Sequence, residues 1–533
     1  MPRRRARACC RTDRRGKLMN NREHDWRNDL AVADRLETRL GTMEFTDGAP
    51  SSETVENVFD QLDLLHAVNA FTNGYQVASM TALRKGFQSA GVADNEVLMF
   101  DVMSSESLFL TANADTVYYL SFIDLSSGPM VVETAPESIG IFDDMAFNWM
   151  IDFGFPGPDR GAGGRFLLLP PGYAGDLPDD GFYVGRESRT DHALMLGRAF
   201  MTNSDPGPIV DLIKQSLKIY PYAPGGAGTA VATLLEGKVR PGTAAEIPDT
   251  TFVHGTGKAF NTIPFTDARF FDQVNEFVQD QPLGFLDPEI MGQFEAIGIV
   301  KGEKFDPDAR MRAILDEAAA IGTAMSRTVM FNSERSGMQY YPGSAWIALL
   351  FVGGYNFETP PPMVTTEGIV PLPATGSRKL HSRTTFFYGY TGITPAMCMR
   401  LTGVGSQYLI AYRDSQGAYF EGGAHYTVTL PPGIPQERFW SMTLYDTQTR
   451  SMLQTPQLYP RAGSQNYPTP AAEAEPDGST TLHFAPTKPD GVRDGNWIQT
   501  DPERGFFACI RLYSPLQGFF DKSWQIGEID RID

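Results

Sequence analysis

Apolar residues recur at helical spacing in the first long patterned segment, from Ser51 to about Gly91. They fall on one face of a helical repeat: Val55, Val58, Phe59, Leu62, Leu65, Phe71 and Val77. Ser51 and Ser52, followed by Glu53, are residue types that favour a helix N-terminus. We therefore predict a pair of amphipathic helices, in which His66 is a core or boundary side chain in preference to a ligand.

Short runs of strand type replace the helical pattern between Val97 and about Val184. Segments rich in Gly and Pro separate these runs, as expected of turns between strands. The runs are LFLTANADTVYYLSFIDL, PMVVETAP, FNWMIDF and RFLLLPPG. This arrangement favours antiparallel strands in a β-sandwich.

Helical patterning returns after Asp191. The runs that carry it are RTDHALMLGRAF, GPIVDLIKQSLKIY and DARFFDQVNEFVQ. The stretch from Asp306 to Met330 follows, with Pro307 at a favoured first-turn position. We predict a helical section over residues 191–335.

Alternating and continuous apolar runs mark the last part of the chain, from residue 336 to residue 533. They predict a second β-sandwich, and the runs are FFYGYTG, QYLIAYRD, HYTVTLPP, RFWSMTLYD, TTLHFAP and FFACIRLYSP. The predicted fold class is α+β, with two antiparallel β-sandwich parts and a helical section between them. The predicted divisions are an arm at 1–50, a helix pair with the N-terminal sandwich at 51–190, the helical section at 191–335 and the C-terminal sandwich at 336–533.

The composition describes a soluble globular protein with several domains: 533 residues, 42% of them hydrophobic, with 52 Gly and 38 Pro. The formal net charge of -19 opposes a general affinity for nucleic acid or for anionic lipid. No apolar run reaches the roughly 18 residues that a membrane-spanning helix needs. We therefore expect neither a nucleic-acid partner nor a membrane span.

The first 18 residues, MPRRRARACCRTDRRGKL, are basic and lack the apolar region of a secretory signal. We expect this segment to be either an over-extended start before Met19 or a disordered arm, and the protein to be cytoplasmic. Cys9 and Cys10 lie within it, whereas Cys398 and Cys509 stand in apolar sequence. The latter two are predicted to be small buried hydrophobic residues, and a disulfide between them stays an open alternative.

The usual linear signatures of catalysis are missing from the sequence. HExxH and GxSxG do not occur, and GTGKAF at 255–260 lacks the first Gly and the final Ser or Thr of a P-loop. We therefore expect no nucleotide or flavin. The seven histidines are scattered, so a divalent metal would need ligands from separate strands, which is possible but not favoured.

Asn113 and Asp115 open an otherwise apolar run, NADTVYYLSF. In a strand, period-two geometry would send both side chains to one face. Two interpretations stay open: an Asx turn that starts the strand, since Asn and Asp bond to their own backbone, or contact with a ligand.

The chain resembles, from about Thr54 to the C-terminus, the bacterial proteins that pair domain of unknown function 1254 with domain of unknown function 1214. The first domain is carried by NADTVYYLSFIDLSSGPMVVETAP and RFLLLPPGY, and the second by RFWSMTLYD, DGSTTLHFAP, GNWIQTDP, RLYSP and KSW. The chain departs from the family pattern at Ala112, where many relatives have Pro, and at Ile498 and Gln499, where many have Leu and Pro.

The resemblance implies two jelly-roll-like β-sandwich parts with a helical section between them. Since many relatives are exported, it also implies a periplasmic or envelope location as the alternative to the cytoplasm. It supplies neither a reaction nor an established site residue.

The expected function is that of an enzyme, a hydrolase or lyase acting on a carbohydrate or small carboxylate in a cleft between sandwich and helical section. The candidate catalytic residues are Asp115, Asp144, Tyr220, His254 and Tyr445, and the candidate substrate-binding residues are Asn113, Lys218, Lys258, Arg383 and Trp440. Lys or Arg would hold a carboxylate, Tyr or His would move a proton, and Trp440 would support a ring. No metal ligand is assigned.

Two other functions stay open. Aromatic residues mixed with polar ones would suit a non-catalytic module that binds glycan or envelope material. A structural or assembly role is the other, since jelly rolls often build homo-oligomers. A deep polar pocket would favour the enzyme, an open aromatic groove the binding module, and a broad apolar patch the assembly protein.

Overall fold

The computed structural model describes residues 30–227, 229, 231–235, 237, 247–349, 354–358, 363–365, 368–370, 373–399 and 401–532. The chain divides into two compact units, Met1–Asp63 and Leu64–Asp533. The first unit contains a three-stranded antiparallel sheet of β1 (Arg35–Thr38), β2 (Gly41–Thr46) and β3 (Ala49–Pro50). The basic segment 1–18 and the alternative start at residue 19, for which an arm was predicted, lie outside the described residues.

A single helix of 38 residues, α1 (Ser52–Ser89), replaces the predicted helix pair. Gly74 and Gly86 lie inside this helix without breaking it, at positions where neighbouring elements approach its backbone closely. A Cβ added at Gly74 would lie 3.1 Å from Val274 Cγ2, and one at Gly86 would lie 2.5 Å from the Asn261 carbonyl oxygen. The prediction of a helix pair was wrong, since the segment forms one continuous helix.

Two sheets pack face to face in the N-terminal half of the second unit. Their strands are β4 (Val97–Phe100), β5 (Thr116–Asp124), β6 (Met130–Thr134), β7 (Ser138–Asp144), β8 (Trp149–Gly154), β9 (Gly164–Leu168), β10 (Tyr183–Val184), β11 (His192–Phe200), β12 (Lys218–Pro221) and β13 (Phe252–His254). One sheet has the order β13-β4-β5-β11-β7-β8 and the other β10-β9-β6-β12. Tyr119, Phe142, Phe153 and Phe166 fill the space between them. The pairing is antiparallel except at the β13–β4 and β10–β9 edges, which are parallel.

The run HALMLGRAF was predicted as helix and is strand β11, with β5 on one side and β7 on the other. Most of its residues are buried on both faces of the sheet. A strand buried on both faces does not show the polar and apolar alternation that identifies a strand in sequence. The predicted start of the helical section at residue 191 is therefore wrong.

The helices that follow are α2 (Gly207–Ser216), α3 (Val231–Leu235), α4 (Arg269–Asp280), α5 (Pro288–Glu295) and α6 (Ala309–Phe331). The helices predicted from DARFFDQVNEFVQ and from Asp306–Met330 are confirmed as α4 and α6. Pro307 lies before the helix and not in its first turn, because Asp308 is the N-cap and its Oδ1 accepts a hydrogen bond from Met311 N at 2.8 Å. The run GPIVDLIKQSLKIY was predicted as helix throughout, but its last three residues, Lys218 to Tyr220, belong to strand β12.

A second pair of sheets forms the C-terminal part. The strands are β14 (Trp346–Ile347), β15 (Met363–Thr365), β16 (Gly368–Val370), β17 (Ser406–Ala411), β18 (Phe420–Glu421), β19 (Tyr426–Leu430), β20 (Gln436–Asp446), β21 (Arg461–Gly463), β22 (Thr480–Ala485), β23 (Trp497–Gln499), β24 (Gly505–Pro515) and β25 (Ile529–Arg531). One sheet has the order β14-β17-β24-β20-β21, with β18 also paired to β24, and the other β23-β22-β19-β25. Their shared core includes Trp440, Phe484 and Phe506. β15 and β16 form a separate hairpin.

The segment FFYG, predicted as strand, lies instead in helix α7 (Leu380–Gly389). Two short helices complete this part, α8 (Pro395–Cys398) and α9 (Gln517–Phe520). The aromatic residues that suggested a strand pack into the core, because Phe386 and Phe387 are buried against Phe357. Burial of this kind overrides the β-propensity of aromatic residues.

A third and larger apolar cluster fills the space between the two sandwiches and the helices of the second unit. It takes residues from β5 and from β17, β20 and β24 on the faces that point away from each sandwich core, together with residues of α4, α6 and α7. The fold class is α+β, as predicted. Over the described ranges, no helix is long and apolar enough to cross a membrane.

Candidate functional site

A pocket opens between the outward faces of the two sandwiches, with a cavity of about 110 Å³. This volume is well above the roughly 10–15 Å³ that one water requires on the same measure. Its apolar wall is formed by Leu120, Ile139, Ile141, Leu196, Met397 and Val404. The first four lie on neighbouring strands β5, β7 and β11 at alternate positions, so they share one face of the sheet.

Each sheet contributes one cross-strand Tyr–Arg pair to this pocket. Tyr118 on β5 is opposite Arg198 on β11, and Tyr408 on β17 is opposite Arg511 on β24. The pairs meet across the pocket, where Arg198 Nη1 donates to Tyr408 Oη at 3.5 Å. The two Tyr–Arg pairs therefore come from four strands that lie far apart in sequence.

Arg511 is almost fully buried and incompletely satisfied. Its Nη2 donates to the Thr111 carbonyl at 2.6 Å, but Nη1 is buried with no hydrogen-bond partner in the part of the chain that the structure describes. The guanidinium lies over the rings of Tyr408 and Tyr445, at 5.1 and 5.4 Å from their centroids. Within the described part of the chain, neither Arg511 nor Arg198 forms an ion pair with a carboxylate. Two cations thus face an apolar cavity without an anion, which is costly unless a ligand supplies one.

Tyr408 is the hydroxyl best placed to ionise. Burial alone would raise the pKa of its phenol, but the guanidiniums of Arg198 and Arg511 favour the phenolate and hold the pKa below its ordinary value. Ser406 Oγ lies 2.7 Å from Tyr408 Oη and adds a hydrogen bond. Burial raises the pKa of the neighbouring Tyr118, despite the same two arginines. Tyr118 and Tyr408 therefore differ in proton affinity.

The NADT motif forms a turn that borders the pocket. Asn113 Oδ1 accepts from Asp115 N at 2.9 Å, which is an Asx turn, and strand β5 begins at Thr116. Asn113 also lines the pocket, and its Nδ2 donates to Tyr118 Oη at 2.7 Å. Asn113 therefore forms the predicted Asx turn and also lies in the pocket wall, where it orients the hydroxyl group of Tyr118.

Asp115 points away from the pocket into the second sandwich. Its Oδ1 lies 2.8 Å from Arg461 Nε, and both side chains are fully buried. Oδ2 accepts from Ser441 Oγ at 2.5 Å and from Tyr513 Oη at 3.2 Å. The contacts that Asp115 makes are those of an anchor that ties the NADT turn to strands β20, β21 and β24.

Residues 390–394 form one wall of the pocket, and we call them the wall segment. Two buried carboxyl groups bind this segment. Asp143 Oδ2 accepts from Ile393 N at 2.7 Å, and Asp152 Oδ1 accepts from Thr394 Oγ1 at 2.5 Å. Burial raises the pKa of Asp152 to about 6, although Thr394 and Trp149 donate to it. Burial also raises the pKa of Asp143 well above its usual range, although Ile393 N donates to it.

The wall segment itself approaches the sheet closely at Gly392. The φ of this residue is +87°, and a Cβ there would lie 2.8 Å from Ile141 Cδ1. Only glycine combines this backbone conformation with this approach at little cost.

Three of the predicted site residues lie on the first sandwich, away from the pocket. Asp144 is buried and accepts from Ala146 N and Asn148 N, so it closes the turn after β7. Tyr220 Oη donates to Glu133 Oε1 at 2.8 Å, and burial raises the pKa of Tyr220. Lys218 Nζ lies 3.4 Å from Asp249 Oδ1.

Three more are dispersed over the second unit. His254 is exposed on the edge strand β13, with Asp101 Oδ2 at 3.9 Å from Nε2. Lys258 Nζ donates to the Ala90 carbonyl at 2.7 Å. Trp440 is buried in the core of the second sandwich.

Tyr445 lies beside the pocket. Its Oη donates to the Ala112 carbonyl at 2.5 Å, and its ring lies under Arg511. Burial raises the pKa of Tyr445 far beyond its ordinary value, even though Arg511 opposes the shift. Arg383 lines a different pocket and bonds to Asn73 Oδ1. Among the ten predicted residues, the structure thus brings Asn113 into the pocket wall and Tyr445 next to it.

The residues missed from sequence are Arg198, Arg511, Tyr118 and Tyr408. The signal that could have found the arginines is a single charge inside an apolar strand run, HALMLGRAF and FFACIRLYSP. Charged residues are rarely fully buried without a partner, so such positions point to a site.

No group of three His, Cys, Asp or Glu side chains in the described ranges could hold a metal ion. Cys398 and Cys509 are both free and buried, so the disulfide left open by the sequence does not form.

Comparison with known proteins identifies two family regions in the chain. Residues 95–221 match the family described as a protein of unknown function, DUF1254, and residues 405–517 match the one described as a protein of unknown function, DUF1214. None of the curated proteins matches the chain. The two matched regions include all four strands that carry the Tyr–Arg pairs.

Two solved structures are similar to this chain. The VPA0106 protein from Vibrio parahaemolyticus is 15% identical, with 88% of this chain and 100% of that chain covered and a TM-score of 0.49. An uncharacterized protein from Burkholderia cenocepacia is 13% identical, with 90% of this chain and 97% of that chain covered and a TM-score of 0.34.

Proposed function

We infer that this chain, which pairs a DUF1254 region with a DUF1214 region, is a lyase. Its substrate is a small carboxylic acid with an apolar body, bound in the pocket between the two sandwiches. The carboxylate lies between Arg198 and Arg511. Tyr408 acts as the proton acceptor, and the aliphatic wall holds the rest of the substrate.

The observation that carries this proposal is a pair of guanidiniums in an apolar cavity that have no carboxylate partner among the described residues. On Arg511, Nη1 is buried and finds no acceptor among the described residues. A planar guanidinium binds a carboxylate through parallel hydrogen bonds, and removal of water strengthens them. A ligand carboxylate would satisfy Nη1 and neutralise part of the buried charge.

The shape and chemistry of the wall favour a small aliphatic acid over a carbohydrate. A sugar presents hydroxyl groups in every direction, and each would need a partner when buried. The wall offers eight Leu, Ile, Met and Val side chains, and its two charged groups are the arginines. The substrate class is therefore narrowed to short carboxylic acids with few polar groups beyond the carboxylate.

The reaction begins when the Tyr408 phenolate takes a proton from the carbon next to the carboxylate. The electron pair moves into the carboxylate, where Arg198 and Arg511 stabilise the added charge. The pair then forms a carbon–carbon double bond as a hydroxyl group on the next carbon departs with its bonding electrons. Tyr408 returns its proton to that hydroxyl, so that water is released and the phenolate is restored.

A second candidate is binding without turnover, and the lining itself favours it. The described residues around the cavity include no histidine and no carboxylate, so proton transfer rests on tyrosine alone. The same arginines would then retain the acid as cargo.

The test is proton exchange measured by NMR, with the full chain and a panel of short 3-hydroxy and 2,3-unsaturated acids in deuterated water. We expect deuterium at carbon 2 and interconversion of the two acids with the wild-type protein. Tyr408→Phe should abolish exchange and retain binding, whereas Arg511→Met should weaken binding at least ten-fold, since a hydrogen bond to a charged group contributes about 1.5–3 kcal/mol.

Arg438→Met is the matched control, because Arg438 also stacks on aromatic rings, 4.5 Å from the Phe200 centroid, but does not line the cavity. Binding that depends on Arg511 without any exchange would establish the cargo-binding alternative. Binding that is equal in wild type and Arg511→Met would refute both.

A further inference from the structure

A second pocket, of about 560 Å³, lies on another side of the same unit. It is bounded by Trp149 at the start of β8, the segment before β11, the start of α5 and helix α7. None of its lining residues belongs to the pocket between the sandwiches. We call it the arginine pocket, after Arg186, Arg189, Arg378 and Arg383, which line it.

The four arginines give the arginine pocket a concentration of positive charge in a chain whose formal net charge is -19. Arg378 Nε lies 3.5 Å from Glu358 Oε1, and this is the ion pair formed within the set. Arg186 bonds instead to Tyr355 Oη at 3.5 Å. Among the described residues, the other three arginines have no carboxylate within ion-pair distance. Glu187, Asp287 and Glu358 also line the pocket, so its four arginines exceed its carboxylates by one.

Arg383 is the most constrained member of the set. It is 5% exposed, lines the pocket and bonds to the side-chain oxygen of Asn73, which carries no charge. Burial lowers the pKa of Arg383 to about 10, and the nearby charge of Arg378 adds to the effect. A buried cation beside a second cation is stabilised by a bound anion.

Aromatic rings stand next to the cations. The Arg186 guanidinium lies 4.6 Å from the Trp149 ring centroid, and the Tyr355 ring lies 5.8 Å from Trp149. Phe357 and Phe387 also line the pocket, with their centroids 5.6 Å apart. Planar rings beside guanidiniums suit a ligand that is itself planar and charged at one end.

We propose that the arginine pocket is a binding site for an aromatic oxyanion, a planar aromatic body that carries a carboxylate or phosphate group. The oxyanion is held by Arg383 and Arg186, and the aromatic body lies among Trp149, Phe357 and Phe387. This site is separate from the pocket proposed for the lyase reaction, and it takes a larger ligand.

The experiment is titration calorimetry of the full chain with 2-naphthoate, 2-naphthyl phosphate, the uncharged 2-naphthol and inorganic phosphate. The two aromatic anions should bind, and 2-naphthol should bind at least ten-fold more weakly. Inorganic phosphate separates a simple phosphate site from an aromatic one, and tight binding of phosphate alone would overturn the proposal.

Arg383→Met should weaken binding of both aromatic anions at least ten-fold. Arg413→Met is the matched control, because Arg413 also bonds to an asparagine oxygen, that of Asn332 at 2.5 Å, and stacks on Tyr419, but lines neither pocket. Should Arg383→Met fold poorly, Arg186→Met supplies an exposed alternative with the same expected loss. Wild-type affinity in a folded Arg383→Met or Arg186→Met protein would overturn the proposal.

Arg511→Met separates this site from the lyase pocket. Aromatic anions should bind this variant as they bind the wild type, because Arg511 does not line the arginine pocket. Loss of naphthoate binding in Arg511→Met would place that ligand in the other pocket and overturn the present assignment, while leaving the lyase proposal intact.

Discussion

Arg198 on β11 and Tyr408 on β17 join the two sandwiches through a hydrogen bond from Nη1 to Oη of 3.5 Å. Arg198 is also the cross-strand neighbour of Tyr118, and Tyr408 is the cross-strand neighbour of Arg511. The result is an alternating set of two cations and two phenols at one wall of an apolar cavity. The two guanidiniums favour a negative charge at this wall, either on a ligand or on Tyr408.

The first prediction concerns the ionisation of Tyr408. Its pKa lies below the ordinary value of about 10, because two guanidiniums outweigh the effect of burial. Ultraviolet titration of the native protein should therefore show one phenolate that forms before the bulk of the tyrosines. Tyr408→Phe should remove that transition, and Arg198→Met should shift it to higher pH.

Tyr390→Phe is the control, because Tyr390 lines the same pocket but burial raises its pKa well above the usual range. The early transition should persist in this variant. The pKa of Tyr408 is lower in the folded protein than in the unfolded chain. Its phenolate therefore stabilises the folded state at pH values above the pKa of the unfolded chain, and this stabilisation is lost as the pH falls through the pKa of the folded protein. An unchanged early transition in Tyr408→Phe would assign it to another tyrosine.

Much of the fold follows from local patterns in the sequence. Helices α4 and α6 carry long amphipathic repeats, and β5 and β24 carry continuous apolar runs bounded by turn residues. The errors fall where tertiary burial removes the pattern. β11 is covered on both faces, and α7 is filled with aromatic residues for the core.

The candidate site was less accessible to sequence reasoning than the fold. Asn113 was found because it stands in a motif next to its own strand. Arg198 and Arg511 stand alone in apolar runs, and only the pairing of distant strands brings them to one cavity. Asp115 has the residue type of a catalytic group, but its partner Arg461 is supplied by a strand far along the chain.

The second prediction concerns the buried pair of Asp115 and Arg461. Arg461→Met leaves the Asp115 carboxylate buried without its cation, although Ser441 and Tyr513 still donate to it. We expect a loss of about 3–5 kcal/mol in the free energy of unfolding, measured by urea denaturation. The double variant Asp115→Asn with Arg461→Met should recover part of this loss, since the isolated charge is removed.

A loss below about 1 kcal/mol in Arg461→Met would contradict the assignment of Asp115 as a buried anchor, because surface ion pairs contribute only that much. Arg165→Met is the matched control, since Arg165 pairs with Glu133 at 3.0 Å on the exposed side of the first sandwich.

The third prediction concerns the cysteines. Burial raises the pKa of Cys398 to about 12, and burial also raises that of Cys509, although Arg511 opposes it. Both thiols are thus protonated and inaccessible near neutral pH. In a full chain with Cys9→Ser and Cys10→Ser, a thiol reagent should detect no reactive group in the native protein and two after denaturation without reductant. Fewer than two would indicate a disulfide.

The last prediction concerns Asp152, which holds the pocket wall through Thr394. Its folded pKa of about 6 exceeds the ordinary 3.8, with burial as the main cause. Between these values the folded state binds more protons than the unfolded state, so stability is present at low pH and is lost as the pH rises through about 6. The shift corresponds to at most about 3 kcal/mol, since one pKa unit is about 1.4 kcal/mol.

Asp152→Asn should therefore flatten the fall in unfolding free energy between about pH 4 and 6, as measured by urea denaturation across that range. The flattening will be partial, because burial also raises the pKa values of the neighbouring Asp143 and Asp144, which contribute with the same sign. Asp267→Asn is the control: Arg269 lowers the pKa of this exposed carboxyl, so its contribution has the opposite sign. A pH profile in Asp152→Asn that matches the wild type would mean that Asp152 is ionised in the folded protein throughout this range.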